Sequence, residues 1–420
     1  MNRSIRYDNG LRLVVQHNPA VRSVAVGLWV GAGSVKETEQ NNGISHFTEH
    51  VMFKGTDRYT AFDIANEFES MGAMINAFTG KEGTCYYVKS VDEYAEKCFA
   101  MLAHIFTRSS FDADELDKER KVIAEEINMT EDSPEDICYD VLANTMYPDA
   151  SLGRTILGSL ENVRRFTRYD VLVYMDELYN ADNIVVSVAG NLSMEEADKW
   201  VRRYLLHEIR QNRTTAPPLA AVAVQSRGSV RIKDFEQSNV GISYPSLPFH
   251  DPRIPTQNVF GILFGGGMSS RLFQRIREQM GLAYSVYSSP LAYKNNGNFN
   301  ILLNITPANT EKAVRAVQKE IDEIVANGVT EEEFTKAKIQ LKSALVFSEE
   351  SVQNMMTAQG KLLLFADELY SVDKRIAEIE AVTLQDVNAY ARETLTPDRV
   401  CTAYVGKKTS ADVLRIVQKQ

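Results

Sequence analysis

One sequence pattern occurs twice in the chain. Residues 169–190 read YDVLVYMDELYNADNIVVSVAG, and residues 385–406 read QDVNAYARETLTPDRVCTAYVG. Each copy predicts a helix, a turn at NADN or TPDR, and a β-branched strand that ends in glycine. Aligned without gaps, the copies share Asp170/Asp386, Val171/Val387, Tyr174/Tyr390, Glu177/Glu393, Asp182/Asp398 and Gly190/Gly406. The wide separation indicates one large duplication, because solenoid repeats recur every 20–50 residues or so.

The duplication divides the chain into two homologous halves. Residues 207–228 (HEIRQNRTTAPPLAAVAVQSRG) contain paired prolines and small residues without an amphipathic period, which is typical of a linker. We therefore predict a first domain at 1–206 and a second at 229–420. Each half mixes strand-like runs with long amphipathic helices. This favours an α+β fold in which each domain has a mainly antiparallel sheet with helices layered on one face.

Composition and charge narrow the class of protein. The chain has 420 residues, is 44% hydrophobic and carries a formal net charge of −10, which argues against the basic footprint of a nucleic-acid binder. The longest nearly apolar run, residues 23–35, is too short to span a bilayer. The N-terminus lacks the pattern of a signal peptide, and four cysteines lie scattered without paired spacing. We expect a cytoplasmic protein with reduced thiols and with neither a nucleic-acid nor a membrane partner.

The segment GISHFTEHVMFKGT (43–56) concentrates His46, Glu49 and His50, although the whole chain contains only six histidines. Residues three and four positions apart share one face of a helix. The cluster is therefore either a polar stripe or one half of a metal site.

A second predicted helix carries carboxylates on its inner face. Residues 111–132 (FDADELDKERKVIAEEINMTED) contain no interior glycine or proline, and positions 119, 122, 123 and 126 form one helical stripe. We expect this stripe, which includes Glu119 and Glu126, to face the interior. A buried carboxylate is costly unless a charge or a metal compensates it. An arginine partner or solvent exposure is the ordinary explanation for a single glutamate on a helix.

The second half lacks all of these groups. The equivalent stretch, VTEEEFTKAKIQLKSA (329–344), places Ala337 and Ala344 where the first half has Glu119 and Glu126. The region GGGMSSRLFQRIREQMG, near residue 270, contains no histidine. Because the histidines and the carboxylates are absent together, the pattern favours a single metal site in the first half.

These residue types suit zinc in a hydrolytic site, which takes three protein ligands and leaves a fourth position for water. His46 and His50 would supply two nitrogens and Glu126 an oxygen, while Glu119 can hydrogen-bond a ligand histidine. Glu49 is then left as the general base for a zinc-bound water. The order His-x-x-Glu-His is the inverzincin motif.

The sequence resembles the pitrilysin/insulinase family of zinc peptidases over essentially its whole length, including the duplication. In that family, HxxEH is followed at about this distance by a ligand glutamate, matched here by Glu126. Another family glutamate two turns earlier is matched by Glu119. ERKVIAEE and SLGRTILGSLENV (151–163) are most similar to the beta subunit of mitochondrial processing peptidase and its bacterial homologues.

The resemblance also implies a strand that binds substrate. MGAMINAFTGKEGTCYYVKS (71–90) predicts a hairpin, and without the resemblance an ordinary hairpin is the simpler interpretation. In the family, the strand at NAFT is a sheet edge that pairs with the substrate backbone. The matching residues here are Asn76, Ala77, Phe78 and Thr79.

A second substrate-contacting segment is implied in the second half. RIREQMGLAYSVYS (275–288) resembles the family segment that carries an arginine and a tyrosine. They are best matched by Arg275 and Tyr284, with Arg271 and Arg277 as alternatives for the arginine.

We therefore predict a zinc-dependent endopeptidase that hydrolyses peptides or unfolded segments through a zinc-bound water activated by Glu49. Its substrate could be a presequence-like basic peptide, a general peptide pool or one dedicated precursor. The alternative is a catalytically inactive homologue that acts as a structural or regulatory subunit. Such family members typically lose part of the metal motif, whereas all five positions are present here.

The resemblance also implies an oligomer. Long family members join four such domains in one chain, whereas this chain has two. We expect a homodimer, in which each active site combines residues 46–126 of one chain with residues 271–288 of the other. The runner-up is a heterodimer with an inactive homologue.

Overall fold

The computed structural model describes residues 3–211 and 220–418. The chain forms two compact units. The first contains Met1–Ile127, Thr155–Pro218 and Phe347–Ser371, and the second contains Asn128–Arg154, Leu219–Val346 and Val372–Gln420. Neither unit is contiguous in sequence, because each includes a segment from the other half of the chain.

The strands of the described residues lie in two sheets. They are β1 (Arg3–Arg6), β2 (Arg12–His17), β3 (Ser23–Val30), β4 (Met74–Thr79), β5 (Thr84–Val91), β6 (Ile184–Gly190), β7 (Arg227–Ile232), β8 (Ser238–Pro245), β9 (Ala283–Ala292), β10 (Gly297–Ile305) and β11 (Cys401–Gly406). β1 to β6 belong to the first unit and β7 to β11 to the second.

Most of the α-helices are amphipathic and border these sheets. They are α1 (Ile44–Met52), α2 (Ala61–Ser70), α3 (Ala95–Arg108), α4 (Ala113–Asp132), α5 (Pro134–Met146), α6 (Leu160–Arg165), α7 (Arg168–Leu178), α8 (Met194–Tyr204), α9 (Ile254–Gly265), α10 (Thr310–Asn327), α11 (Glu331–Ser348), α12 (Val352–Ala366), α13 (Val372–Ala381), α14 (Leu384–Thr394) and α15 (Val413–Val417). A π-helical segment, Phe273–Gln279, follows α9.

The duplicated sequence pattern forms the same structure twice. In the first copy α7 leads into β6, and in the second copy α14 leads into β11. Both helices begin with a capping box, in which Thr167 pairs with Asp170 and Thr383 pairs with Asp386. The threonine side chain accepts a hydrogen bond from the third helical residue, whose carboxylate accepts one from the threonine backbone. The threonine and aspartate of each copy therefore form the hydrogen bonds that mark the start of its helix.

The two sheets have matching topologies. The strand order is β1-β2-β6-β3-β5-β4 in the first unit and β7-β11-β8-β10-β9 in the second. Among the described residues, each sheet contains a single parallel pair, β2 with β6 and β7 with β11, and its other neighbouring strands are antiparallel. The predicted α+β fold with two similar, mainly antiparallel domains is confirmed.

The main core of the first unit lies on one face of its sheet. Alternate residues of β3, from Val24 through Val26 and Leu28 to Val30, pack into a cluster with residues of α1, α2, α3, α7 and α8. Side chains two positions apart on a strand point to the same face, so these helices share one side of the sheet. This face carries α1, the helix that contains the histidine pair.

The opposite face of the first sheet is covered by α12. Ala25 and Trp29 of β3 pack with Met355 and Met356 of this helix. A Cβ atom at Gly360 would lie only 2.4 Å from Trp29 Nε1, so glycine permits α12 to approach the sheet this closely. The sequence predicts helices on one face of each sheet, but the apolar residues of α12 also cover the second face of this sheet.

The second unit repeats this arrangement with α5. Ile137, Cys138 and Leu142 of α5 pack with Ala403 and Val405 of β11. The helix contacts β7, β8 and β11. Thus α5 comes from the first half of the sequence but covers the second sheet, while α12 comes from the second half and covers the first.

The predicted domain boundaries follow the sequence repeat, and they remain a prediction. The ranges 1–206 and 229–420 describe sequence repeats, whereas the compact units exchange α5 and α12 between those ranges. Part of the proposed linker 207–228, residues 212–219, lies outside the described residues.

The four cysteines, Cys85, Cys98, Cys138 and Cys401, are buried free thiols, as the sequence predicts. Every helix within residues 3–211 and 220–418 is too short or too polar to cross a membrane.

Candidate active site

The helix α1 carries the histidine pair and is fixed at its first turn. Gly43 precedes the helix with φ 102°, and a Cβ atom there would lie 2.7 Å from the carbonyl oxygen of Leu157. Glycine is therefore required both for the backbone conformation and for the close packing.

A buried carboxylate, Glu37, caps α1. The backbone N–H groups of Gly43 and Ser45 donate to its two oxygens, each at 2.8 Å. The Asn42 side chain donates to it at 2.7 Å, and the Ser45 hydroxyl also donates. A negative charge at a helix N-terminus is favourable, and these donors offset the cost of burying it. Glu37 thereby fixes the first turn of the helix, next to His46.

The two faces of α1 have different chemistry. Ile44, Phe47 and Val51 are buried in the main core of the first unit. His46 and His50 lie on the other side of the helix, half-buried, with ring centroids 4.5 Å apart. Packing of the apolar face therefore presents both imidazoles together.

The helix α4 presents Glu119 and Glu126 to these histidines. Glu119 is only 4% exposed and lies on the buried stripe with Leu116 and Ile123. The sequence predicts that positions 119, 122, 123 and 126 all face the interior. This is wrong for two of them, because Val122 is 44% exposed and the Glu126 side chain is partly exposed. The buried stripe is narrow because it follows positions 116, 119 and 123, whereas Val122 and Glu126 lie at its edges.

Three donor atoms converge in the first unit. Glu126 Oε2 lies 3.4 Å from His50 Nε2 and 3.7 Å from His46 Nε2. The ligand atoms of the three residues all lie within 4.8 Å of one another. Two imidazole nitrogens and a carboxylate oxygen are the donor types of a catalytic zinc site.

The surroundings of the imidazoles suit a metal as well. Glu119 Oε2 lies 3.1 Å from His50 Nδ1, which leaves His50 Nε2 directed at Glu126. A carboxylate bonded to the far nitrogen of a histidine is the usual support of a metal ligand. Burial lowers the pKa of His46 to about 4, which favours the neutral form that binds metals. The residues present therefore fit a zinc ion.

Opposing effects act on the pKa values of His50 and Glu119. Burial lowers the pKa of His50, but the Glu119 hydrogen bond and the charges of the nearby carboxylates together raise it above its ordinary value. Burial raises the pKa of Glu119, but hydrogen bonds from His50 and Lys54 outweigh that effect and lower it. The hydrogen bond between them therefore favours the charged form of each group.

Glu49 lies beside the donors but outside the converging set. Its Oε2 accepts a hydrogen bond from the Thr79 hydroxyl. Burial, more than the neighbouring charge of Glu126, raises the pKa of Glu49 above its ordinary value. A half-buried carboxylate with a raised pKa is suited to accept and release a proton.

The strand β4 forms an edge of the first sheet. One side pairs with β5, and within the described residues the other side has no strand neighbour. The predicted substrate residues Asn76, Ala77, Phe78 and Thr79 all lie on it, and Phe78 is 39% exposed. The hydroxyl of Thr79 connects this edge to Glu49. An open edge leaves backbone donors and acceptors available to an added strand.

The residues predicted in the second half lie in the second unit. Tyr284 is 78% exposed on the edge strand β9, and the Arg277 guanidinium lies 5.9 Å from the centre of its ring. Arg271 donates two hydrogen bonds to Glu333, each at 2.7 Å. Arg275 lies 3.6 Å from Glu320 and Arg277 lies 3.9 Å from Glu278, so all three arginines have carboxylate partners and the choice of Arg275 remains a prediction.

Two residues at the site escaped the sequence interpretation. Glu37 precedes the motif and is recognisable only once its donors are assembled in the fold. Lys54 contacts Glu119, with Nζ 2.7 Å from Oε1. Its position four residues after His50 was the one available signal, since residues at that spacing share a helix face.

Two models of known protein families match the chain. The family model described as Insulinase (Peptidase family M16) matches residues 12–160. The model described as Peptidase M16 inactive domain matches residues 165–341. The first match includes every candidate metal-binding residue, and the second begins just before the first copy of the duplicated pattern.

Several curated proteins are similar along most of the chain. A protein of Bacillus subtilis named as an uncharacterized zinc protease is 39% identical over 394 residues, which is 93% of this chain and 95% of the relative. Proteins with the same description from Streptomyces coelicolor and Mycobacterium leprae are 36% and 33% identical. They match over 92% and 97% of this chain, and over 85% and 93% of their own lengths.

Solved structures share the fold. A structure described as a peptidase M16 inactive domain from Pseudomonas fluorescens has a TM-score of 0.91 at 18% identity, and covers 98% of this chain and 99% of its own. A protease from Helicobacter pylori has a TM-score of 0.90 at 20% identity, with 97% and 99% covered. The sequence matches confirm the predicted family, and this chain belongs to the insulinase (M16) family of peptidases.

Proposed function

We propose that this chain is a zinc-dependent endopeptidase that hydrolyses peptides or unfolded segments. The observation that carries the proposal is the convergence of His46, His50 and Glu126 beside a carboxylate, Glu49, that stands outside the donor set. The family and the zinc-protease relatives support the same activity. Because no member of the motif is missing, the site favours an active peptidase over an inactive subunit.

Each residue has a separate task in this proposal. His46, His50 and Glu126 hold zinc, which when bound supplies Lewis acidity toward the scissile carbonyl and toward water. Glu49 removes a proton from the attacking water at a carboxylate oxygen and later delivers it to the leaving amine. Thr79 orients Glu49 by donating to its other oxygen. Glu119 holds the ring of His50 through Nδ1.

The direct test combines two measurements on protein purified without added metal. We expect zinc to be retained and an unfolded polypeptide to be cut internally, with new termini identified by mass spectrometry. Protein that contains no zinc, or that has zinc but leaves a diverse peptide library intact, would contradict the proposal.

Substrate is proposed to bind as an added strand along β4. Asn76, Ala77, Phe78 and Thr79 lie on an open edge next to Glu49, so main-chain hydrogen bonds would align an extended peptide beside the base. Such bonds are insensitive to side chains, which predicts weak sequence selectivity. The exposed ring of Phe78 would add an apolar contact.

A proline scan of a good substrate checks this binding mode. Proline cannot donate to a ladder, so replacements at alternate positions near the cleaved bond should raise KM strongly, while the intervening positions tolerate it. Matched alanine peptides are the control. Equal tolerance of proline at every position would contradict strand addition.

The working enzyme is proposed to be a homodimer that shares its sites between chains. Tyr284, with Arg275 or one of its alternatives Arg271 and Arg277, would steady the substrate or the developing oxyanion from the second chain. The heterodimer with an inactive homologue is the competing arrangement. Mixing inactive Glu49→Gln chains with inactive Tyr284→Phe chains should restore activity, because mixed dimers contain one intact site. A mixture that stays inactive despite measured subunit exchange would contradict shared sites.

A cytoplasmic location is proposed from the cysteines. All four are buried free thiols, which suits a reducing compartment. Cell fractionation with an antibody against the chain checks this, and recovery outside the cytoplasm would contradict it.

A further inference from the structure

The buried carboxylate of Glu119 has a different partner on each oxygen. Oε2 lies 3.1 Å from His50 Nδ1, and Oε1 lies 2.7 Å from Lys54 Nζ. The Glu119 side chain is only 5% exposed, while that of Lys54 is 32% exposed. Within the described residues, Lys54 provides the one ammonium that contacts this carboxylate.

These contacts form a chain from a lysine to a metal-binding atom. A carboxylate can rotate about its last bond, so a histidine alone does not fix both of its oxygens. The Lys54 ammonium holds Oε1, and Oε2 is thereby directed at Nδ1 of His50. With Nδ1–H donated to Glu119, the lone pair of the imidazole is on Nε2, the nitrogen that faces Glu126.

The position of Lys54 allows it to reach across from one helix to the other. Phe53 is the C-cap of α1, and the backbone N–H of Lys54 donates to the carbonyl of Val51. The side chain therefore leaves the end of α1 and reaches Glu119 on α4. Lys54 joins the two helices that supply the three candidate ligands.

We propose that Lys54 is a positioning residue of the candidate zinc centre, acting through Glu119 to fix the orientation and tautomer of His50. The inference rests on the proposed zinc site. Among the described residues, the Lys54 ammonium forms its ion pair with Glu119, so its effect on His50 passes through that carboxylate. Residues that support a metal ligand in this way typically change metal affinity by about 10- to 100-fold.

The test measures zinc affinity directly, by competition with a chromophoric chelator on metal-free full-length protein. Lys54→Met should weaken zinc binding by about 10- to 100-fold, and Lys54→Arg should restore most of the loss because it returns a cation to Oε1. Lys118→Met is the matched control, since Lys118 precedes Glu119 but pairs with Glu115 on the surface. The control should bind zinc as the wild type does.

A double-mutant cycle separates positioning from a general loss of stability. If Lys54 acts through Glu119, Lys54→Met should add almost nothing to the zinc affinity already lost in Glu119→Gln. Fully additive losses would overturn the proposal. Lys54→Gln, which keeps a hydrogen-bond donor without the charge, replaces Lys54→Met should that variant fail to fold.

The outcomes also separate this inference from the proposed function. Wild-type protein that binds zinc, together with a Lys54→Met variant as tight as Lys118→Met, would overturn the role of Lys54 alone. Wild-type protein that binds no zinc would overturn both the metal centre and the role of Lys54.

Discussion

Glu49→Gln is expected to lower kcat for peptide hydrolysis by about 10²- to 10⁴-fold while zinc stays bound, the range that a general base contributes. Glutamine has nearly the size of glutamate and can still accept a hydrogen bond from Thr79, but it cannot remove a proton from water. KM should change little, because the substitution removes an interaction of the transition state rather than one that binds substrate. Steady-state kinetics and zinc analysis of the same preparation give both values.

The matched control for this substitution is Glu69→Gln. Glu69 is exposed on α2 in the same unit, so the same change of charge and size should leave kcat unaltered. Near-native turnover in Glu49→Gln would assign proton transfer to another group. Loss of zinc together with activity would instead make Glu49 a ligand or a structural support of the metal centre.

Local sequence signals were sufficient for the repeated elements of the fold. The helix-to-strand pattern at 169–190 and 385–406 includes its own helix starts, since Thr167 and Thr383 form capping boxes with the aspartates three residues later. It includes its own ends as well, because Gly190 and Gly406 have positive φ angles. Such features depend on neighbours in sequence and can be predicted without the tertiary structure.

The exchange of helices could not be predicted in the same way. The apolar face of α12 requires a sheet to cover, but its sequence does not specify which of the two sheets. That choice depends on complementary packing between residues distant in sequence, such as Gly360 against Trp29 and Cys138 against Val405. Because the two halves are homologous, both sheets offer similar surfaces, and hydrophobic periodicity alone cannot distinguish them.

The same contrast applies to the candidate site. Spacing within one helix identified His46, Glu49 and His50, and comparison of the two halves added Glu119 and Glu126. Glu37 supports α1 through a loop whose hydrogen bonds no sequence motif announces, and the spacing of Lys54 from His50 was only a weak signal of its contact with Glu119. The sequence therefore predicted the groups proposed to bind metal, whereas most of the groups that hold them in place required the structure.

His50→Ala is expected to abolish stable zinc binding and peptide hydrolysis together. His50 contacts both glutamates of the candidate centre, since its Nε2 faces Glu126 and its Nδ1 bonds to Glu119. Its removal deletes a donor and also leaves the buried Glu119 with Lys54 as its remaining partner among the described residues. The loss of zinc affinity should therefore exceed the roughly 10- to 100-fold expected for an outer partner of a ligand.

His104→Ala provides the matched control for that substitution. His104 lies in the same unit, with Nε2 3.0 Å from Asp57 and outside the converging donor set, so its removal should leave zinc content unchanged. Zinc content by mass spectrometry and unfolding of the metal-free proteins should be measured in parallel. Full zinc retention in a folded His50→Ala protein would exclude His50 as a ligand. Because His46 and Glu126 would then offer only two converging donors, the metal would have to bind elsewhere, and the proposed role of Glu49 would lose its geometric basis.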